Sequence, residues 1–320
     1  MQVDTKTPVH QAAQSESPGW QRLVRAGQDL LRYAPHISRE LLAFRDLPRE
    51  PELDLVMEDG EHVAAYAAAG RVENTTLASY LFHTAHCTET IAGARRVVDL
   101  GCGPAIQLLQ IAALNPDAEF IGVDLSTEML DVARQELSRA GLTNVSLRRA
   151  DITDLSFLDD DSVDGVVSTM TLHHLPTADD LTRCFLEIRR VLTPPGAIYL
   201  TDFCRLRSNR SVHFFSHLNE HDLPAAVILD AERSMRAAFT RRDYARRMRL
   251  LSTSVRLRST FLVPLLMIMH TPRRVLSGDV RRRLAAMRSE LSPRICGALD
   301  DLRSFFRMGG LHSNPFSWDN

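Results

Sequence analysis

Short segments rich in β-branched residues alternate with helical patterns between residues 95 and 203. Five segments are typical of buried strands: Arg95–Leu100, Glu119–Asp124, Val145–Arg149, Val163–Ser168 and Ala197–Asp202. Helical patterns lie between them, over Ile106–Leu114, Thr127–Ala140 and Ala178–Val191. Strands and helices that alternate at this spacing form right-handed crossovers and a parallel sheet covered on both faces. The pattern therefore predicts an α/β fold.

The regions on either side have a different pattern. Residues 1–16 are polar and aperiodic, which predicts a disordered tail, and residues 17–93 predict a helical N-terminal lid. Residues 94–271 are expected to form the main domain, interrupted at about 204–251 by an insertion with helices over 211–220, 229–238 and 241–251. Residues 272–320 predict a helical C-terminal extension, which would either pair two subunits into a homodimer or cover the sheet.

Two apolar segments late in the chain, Ser254–Leu262 and Pro264–Thr271, are close enough in sequence to form an antiparallel hairpin. They would supply two further strands. The alternative is a segment that docks on a membrane surface, since arginines flank the apolar run. The hairpin is favoured because it comes where the sheet still lacks its edge.

Composition excludes several classes of protein. Lysine and arginine total 38 against 40 acidic residues, and 44% of residues are hydrophobic, which argues against disorder and fibrous repeats. The longest strongly apolar stretch, Phe261–Met269, is far shorter than the roughly 20 residues of a membrane-spanning helix. No secretory signal is visible, and the five cysteines have no metal-ligand spacing, so a reduced, cytoplasmic protein is expected.

Charge is unevenly distributed, because residues 203–320 carry 21 arginines and 10 acidic residues. A basic portion of this kind attracts an acidic substrate, a nucleic acid or a membrane surface. Alternatively, the arginines lie on solvated helix faces or pair with acidic residues elsewhere. We favour this second interpretation because apolar residues are interspersed with the arginines in 241–249 and 281–288.

Two glycines, Gly101 and Gly103, follow the first predicted strand, where they allow a tight turn and close approach to a ligand. The dinucleotide fingerprint requires a third small residue at the position that Ile106 occupies here. The Lys-Ser/Thr pair of phosphate-binding loops is also missing. The loop therefore suits a ligand that has no phosphate.

Polar residues stand at the carboxyl ends of the next strands, where open parallel sheets bind ligands. Asp124 ends the second strand and is placed to accept hydrogen bonds from a ribose. Asp151 and Ile152 follow the third strand and offer an acceptor for an amine and an apolar contact for a purine. Ser168 and Thr169 end the fourth. Together they predict a pocket for a nucleoside with a charged, amino-acid-like tail.

The motifs DLGCG, VDLS, ADI, HHLP and LTPPGA follow one another in this order over residues 95–203. This series resembles the class I S-adenosylmethionine-dependent methyltransferases, and is most similar to their small-molecule branch. The resemblance implies a Rossmann-like, seven-stranded, mostly parallel sheet with helices on both faces, and S-adenosylmethionine as the cofactor.

The resemblance also implies roles for particular residues. Asp99, Gly101, Cys102 and Gly103 would lie along the methionine part of the cofactor. Asp124, with Leu125 beside it, would hold the ribose, and Asp151 with Ile152 the adenine. The main chain near Ser168 and Thr169 would face the methionine amino group.

Catalysis by such a protein rests on in-line alignment and exclusion of water, since a sulfonium methyl group is already activated. An acceptor that arrives protonated also needs a base. His173 and His174 are the candidates, with His174 slightly favoured, although the pair is also explained as a packing and capping feature. Cys102 is expected to be a small loop residue rather than a nucleophile, and no metal-ligand cluster is assembled from the sequence.

Our leading hypothesis is methyl transfer to an O, N or C atom of a small organic molecule. One alternative is a cyclisation or decarboxylation that uses the same cofactor pocket. Another is an RNA or protein methyltransferase that uses the basic C-terminal part. Nucleic acid is the less favoured partner, because the Asn/Asp-Pro-Pro-Tyr/Phe signature and any nucleic-acid-binding module are missing from the sequence. A nicotinamide-dependent dehydrogenase is disfavoured by Ile106.

Overall fold

The structure is a computed structural model that describes residues 32–52, 75–252 and 254–317. The predicted tail over 1–16, the rest of the lid before residue 32, and the lid segment 53–74 lie outside the described residues. In the described part of the chain, no helix is long and apolar enough to cross a membrane.

Seven strands build one mixed sheet. They are β1 (Arg96–Leu100), β2 (Glu119–Asp124), β3 (Val145–Arg149), β4 (Val163–Thr169), β5 (Leu192–Phe203), β6 (Arg256–Ser259) and β7 (Leu266–His270). Their order is β3-β2-β1-β4-β5-β7-β6, in which the first five are parallel and β7 runs antiparallel to β5 and β6. The predicted Rossmann-like sheet and its antiparallel edge hairpin are confirmed.

The helices flank the sheet. They are α1 (32–42), α2 (Thr75–Ile91), α3 (Ile106–Leu114), α4 (Thr127–Ala140), α5 (Ala178–Val191), α6 (Asn209–Ser216), α7 (Ala225–Ala237), α8 (Arg241–Arg247), α9 (Gly278–Ser289) and α10 (Pro293–Met308). Short 3-10 turns cover Leu172–His174 and Met248–Leu250.

Neighbouring residues on the central strands belong to different apolar cores. On β1, Val97 packs with side chains of α2 and α3, while Val98 packs with those of α5. On β4, Val167 belongs to the same core as Val97, and Val166 to the same core as Val98. All four are fully buried. Burial on both faces explains why these strands are continuous apolar runs instead of alternating ones.

The fifth strand starts earlier than predicted. Leu192 already pairs with Val163, and the next pair joins Ala197 to Gly165, so the predicted turn over 193–196 is a bulge within β5. The strand therefore begins at Leu192 and not at Ala197.

The edge hairpin is shorter than predicted. The hydroxyl of Thr260 donates to the carbonyl of Val263 at 2.7 Å and accepts the N–H of Leu265 at 3.0 Å. These bonds form the turn, so β6 ends at Ser259 and β7 begins at Leu266. In the insertion, α7 starts at Ala225, four residues before the predicted start, directly after Pro224. The other insertion helices end earlier than predicted, α6 at Ser216 and α8 at Arg247.

The C-terminal extension is part of the core. Phe306 of α10 is fully buried and stacks on Phe82 of α2, with ring centroids 5.2 Å apart. Leu284 of α9 is also fully buried and belongs to the same apolar cluster. The extension therefore covers α2 and, through it, one face of the sheet.

Candidate active site

A large cavity opens at the carboxyl ends of β1, β2 and β4. Its volume is about 1550 Å³, whereas a site for one small ligand measures roughly 300–1,000 Å³. The walls opposite the strands come from α1, α7 and α10. The cavity therefore has room for two small ligands side by side.

Most of the predicted site residues meet in this cavity. Ten of them line it: Gly101, Cys102, Gly103, Asp124, Leu125, Asp151, Ile152, Thr169, His173 and His174. The remaining two, Asp99 and Ser168, are buried in the strands behind it. The hydroxyl of Ser168 donates to the carbonyl of Leu100 at 2.7 Å and so ties β4 to β1.

The glycine loop after β1 depends on glycine at its first position. Gly101 has φ +72°, and a Cβ there would overlap the side chain of Thr171. The hydroxyl of Thr171 donates to the carbonyl of Gly101 at 3.1 Å, which fixes this approach. Gly103, also at positive φ, has no atom within 4 Å of an added Cβ. The backbone at Gly103 is thus exposed to a ligand.

Two carboxyl groups stand beside this loop. Asp124 accepts the N–H of Gly103 and the N–H of Ser126, each at 2.9 Å. Burial raises the pKa of Asp124, although these backbone donors oppose the shift. Burial, followed by the charge of Asp124, raises the pKa of Asp99 to about 7. Asp124, which lines the cavity, disfavours an anionic pyrophosphate there and favours a ligand with a cationic group.

The remaining predicted residues in the loops after the strands are Asp151, Ile152 and Cys102. Asp151 accepts the N–H of Thr153 at 2.8 Å in a local turn, and Ile152 beside it is buried and apolar. Burial, then the charge of Asp99, raises the pKa of the Cys102 thiol well above its ordinary value. Cys102 is therefore protonated at neutral pH and is a poor nucleophile.

His173 is held rigidly by β5. Its backbone N–H donates to one oxygen of Asp202 at 2.8 Å, and its ring Nδ1 lies 2.6 Å from the other. Both side chains are buried. Because a carboxylate only accepts, the Nδ1 position carries the hydrogen.

His174 lies at the cavity wall and pairs with a carboxylate from the N-terminal part. Its Nδ1 is 2.6 Å from Glu52 Oε2, and Ser234 donates to Glu52 Oε1 at 3.0 Å. Burial alone would raise the pKa of Glu52, but the hydrogen bond and charge of His174 outweigh it and hold the pKa at about 2. For His174, burial alone would lower the pKa. The hydrogen bond and the charge of Glu52 outweigh burial, and the pKa of His174 is raised.

A segment that we call the strap, residues 46–52, carries Glu52 to this position. The guanidinium of Arg49 donates to the carbonyls of His173, Leu175 and Pro176 in the turn after β4. The strap backbone is also bound, since Leu47 donates to the carbonyl of Leu206 at 3.3 Å. The strap therefore holds both the carboxylate and the histidine turn.

Sequence reasoning missed Glu52, Arg49 and Ser234. Glu52 lies in a proline-rich segment without helical or strand periodicity, and 122 positions separate it from His174. Sequence patterns report local structure, so no pattern in the chain points to this contact.

Glu52, His173 and His174 also place one potential metal-ligating atom each within 4.8 Å of one another. Two ligand atoms about 2.0–2.1 Å from a tetrahedral ion are roughly 3.3 Å apart. The 2.6 Å separation of His174 and Glu52 is instead that of a charge-assisted hydrogen bond. The geometry is that of a carboxylate–imidazole dyad.

A family model described as "Methyltransferase domain" matches residues 91–251, about half of the chain. The match spans β1 to α8 and thus the whole row of strand ends described above. The chain belongs to the class I S-adenosylmethionine-dependent methyltransferase family.

Individual relatives match a smaller part of the chain. The arsenite methyltransferase of Halobacterium salinarum is 32% identical over 113 residues, which are 35% of this chain and 28% of that protein. The malonyl-[acyl-carrier protein] O-methyltransferase of Legionella pneumophila is 30% identical over 146 residues, or 42% and 49% of the two chains. The chain thus spans less than half the length of these relatives.

Among solved structures, an O-methyltransferase family protein from Burkholderia thailandensis is similar over 80% of this chain and 72% of its own. Its TM-score is 0.49 and its sequence identity 17%. A likeness of this size says nothing about the substrate.

The residues at the strand ends fit the cofactor of the family. The open backbone at Gly103 admits close contact, and the carboxyl group of Asp124 in the cavity wall suits a molecule that carries an ammonium and a sulfonium. Asp124 still has lone pairs for ribose hydroxyls after accepting its two backbone bonds. The individual contacts of Asp124, Asp151 and the Ser168–Thr169 backbone with the cofactor stay predictions.

Proposed function

We propose that the protein transfers a methyl group from S-adenosylmethionine to an oxygen or nitrogen of a small organic molecule, with His174 as the general base. The observation that carries this proposal is the Glu52–His174 dyad in the wall of the cavity that also holds the strand ends. When bound, the cofactor supplies an activated methyl group.

His174 has the chemistry that a base needs. Glu52 accepts from Nδ1 of His174, which leaves the lone pair of the neutral ring on Nε2. Glu52 also stabilises the imidazolium that forms when His174 takes the proton of a hydroxyl or amine. His173, whose ring is buried against Asp202, is the positioning partner in this proposal. A carbon acceptor with an acidic C–H would use the same base.

The acceptor side of the cavity favours a molecule with an apolar body. Its walls include apolar side chains from four different elements, among them Tyr33, Phe215, Leu229 and Phe305. Tyr33 makes an edge contact with Phe305, at 5.9 Å between ring centroids. Aromatic and aliphatic walls with a small number of polar groups, here the dyad and charged side chains such as Asp230 and Arg233, are typical of small-molecule sites.

The basic C-terminal part does not favour an RNA substrate. Several of its arginines are paired within the chain: Arg288 with Asp300, Arg294 with Asp222, and Arg303 with Asp300. Pairing of this kind supports the interpretation that they serve the packing of α9 and α10.

The test is a methylation assay with S-adenosylmethionine labelled in the methyl group and a panel of phenols, carboxylic acids and amines with apolar bodies. We expect a product heavier by one CH₂, with S-adenosylhomocysteine formed in equal amount. A product of a different mass change would mean that the fold performs another reaction.

A matched pair of variants tests the base. His174→Gln should lower kcat on the order of 100-fold or more, the usual contribution of a general base. His312→Gln, at an exposed position away from the cavity, should leave kcat unchanged. Equal activity of both variants would remove His174 from the mechanism.

A further inference from the structure

A second group of metal-ligating side chains lies outside the active site. The group consists of His213 in α6, His217 in the position directly after the end of α6, and Glu232 in α7. Each side chain offers one ligand atom, and these atoms all lie within 4.8 Å of one another. The two imidazole rings have centroids 3.9 Å apart. This proximity follows from their spacing of four residues, which puts both rings on one side of a helical turn.

Glu232 is aimed at the histidines. Its Oε1 accepts from Arg236 Nη2 at 2.8 Å, and its Oε2 lies 3.9 Å from His213 Nδ1. The 3.9 Å separation is longer than a hydrogen bond and close to the roughly 3.3 Å between two ligands of one tetrahedral zinc ion. Ligation of one ion by both atoms requires the two side chains to move slightly closer. The charge of Arg236 opposes a cation, but Arg236 also pairs with Glu50 at 3.6 Å, which offsets part of that charge.

The hydrogen bonds of His217 engage its Nδ1. This atom is 2.9 Å from the carbonyl of His213, which only accepts, and 2.9 Å from the hydroxyl of Ser216, which donates to that same carbonyl, so Nδ1 carries the hydrogen. The lone pair is then on Nε2. Histidine ligands of metals have their second ring N–H bound in this way, to a carbonyl or carboxylate.

We propose that His213, His217 and Glu232 bind a divalent transition-metal ion, with zinc as the probe, and that the ion bridges α6 to α7. Two imidazoles and one carboxylate are ligands that zinc accepts. His213 is 67% exposed, so an ion can enter from solvent and water can complete its coordination. Both helices contribute walls to the large cavity, through Phe215 and Leu229, so the ion would stiffen that wall.

The experiment is a zinc titration of the full-length chain without a histidine tag, in competition with a chromogenic chelator. We expect His213→Ala to weaken binding at this site at least about tenfold. The control is His174→Ala, which removes a ligand only from the Glu52–His173–His174 group and should retain the site. Cobalt absorption in the visible range should likewise disappear in His213→Ala and persist in His174→Ala.

Two outcomes would overturn the proposal. Zinc affinity that is unchanged in His213→Ala would show that no ion binds there. Binding that disappears only in His174→Ala would place the ion at the dyad. The bridge has its own readout, because an ion bound to the folded state raises the unfolding temperature. Zinc should raise the unfolding temperature of the wild type and not that of Glu232→Gln. An equal rise in the two proteins would mean that the ion does not bridge α6 and α7.

Discussion

Replacement of Glu52 by glutamine tests the dyad directly, because it removes the negative charge and keeps the size of the side chain. A base acts when deprotonated, so kcat/KM should rise with pH through the pKa of His174, and the acidic limb of the profile reports that pKa. Glu52 raises the pKa of His174 above its ordinary value of 6.5. In Glu52→Gln, only the charges of Asp202 and Asp230 still oppose the effect of burial on the pKa of His174, so the acidic limb should move to lower pH.

The size of the shift follows from the lost hydrogen bond. A bond to a charged partner is worth about 1.5–3 kcal/mol, and 1.36 kcal/mol corresponds to one pKa unit. The lower end applies because the side chain of His174 is 37% exposed and solvent screens the interaction. We therefore expect the limb to move by about one unit toward acid. The plateau value of kcat/KM at high pH should fall about tenfold, since the His174 ring is less basic and less well oriented.

The assay is initial methylation rate against pH, with a control in the same strap. Asp46 pairs with Arg207 at 3.2 Å and does not line the cavity. Asp46→Asn should keep the wild-type profile. If the acidic limb of Glu52→Gln coincides with that of the wild type, Glu52 does not tune the base and the reasoning fails.

Three further predictions concern stability, each measured by urea unfolding. Gly101→Ala should cost several kcal/mol, since it adds a steric overlap to the strain of positive φ, whereas Gly93→Ala, at φ +76° in open space, should cost only about 1–2 kcal/mol; equal costs would contradict the packing at Gly101. Phe306→Ala should cost about 3–5 kcal/mol and Met308→Ala, 55% exposed, less than about 0.5 kcal/mol; a small loss at Phe306 would mean that α10 is not part of the core. The pKa of Asp99 is raised from 3.8 to about 7 in the folded protein, so the fold loses stability as pH rises through this window. The free energy of unfolding of Asp99→Asn, relative to that of the wild type, should therefore be about 2–4 kcal/mol higher at pH 8 than at pH 5. The same difference between the two proteins at both pH values would refute the raised pKa of Asp99.

The meeting of the expected cofactor residues at one edge of the sheet was predictable because it follows from local patterns. Gly101 and Gly103 follow a buried strand directly, and Asp124 ends the next, so a strand prediction also places these residues at one edge of the sheet. The antiparallel hairpin was predictable for a related reason, since the sheet lacked an edge and two apolar runs stood close together.

The acceptor side was not predictable from local patterns. Glu52 reaches His174 because Arg49 binds three carbonyls of a turn more than 120 positions away. The bulge in β5 depends on how Leu192 pairs with Val163 across the sheet. Such contacts depend on tertiary packing, and periodicity does not encode them.

The two sides of the cavity differ in how far apart their residues lie in the chain. The strand ends come from one continuous stretch, while the opposite wall joins Tyr33 near the start to Phe305 near the end. Substitutions in the outer parts of the chain can therefore reshape the wall opposite the strand ends while the continuous stretch that forms the strand ends keeps its sequence.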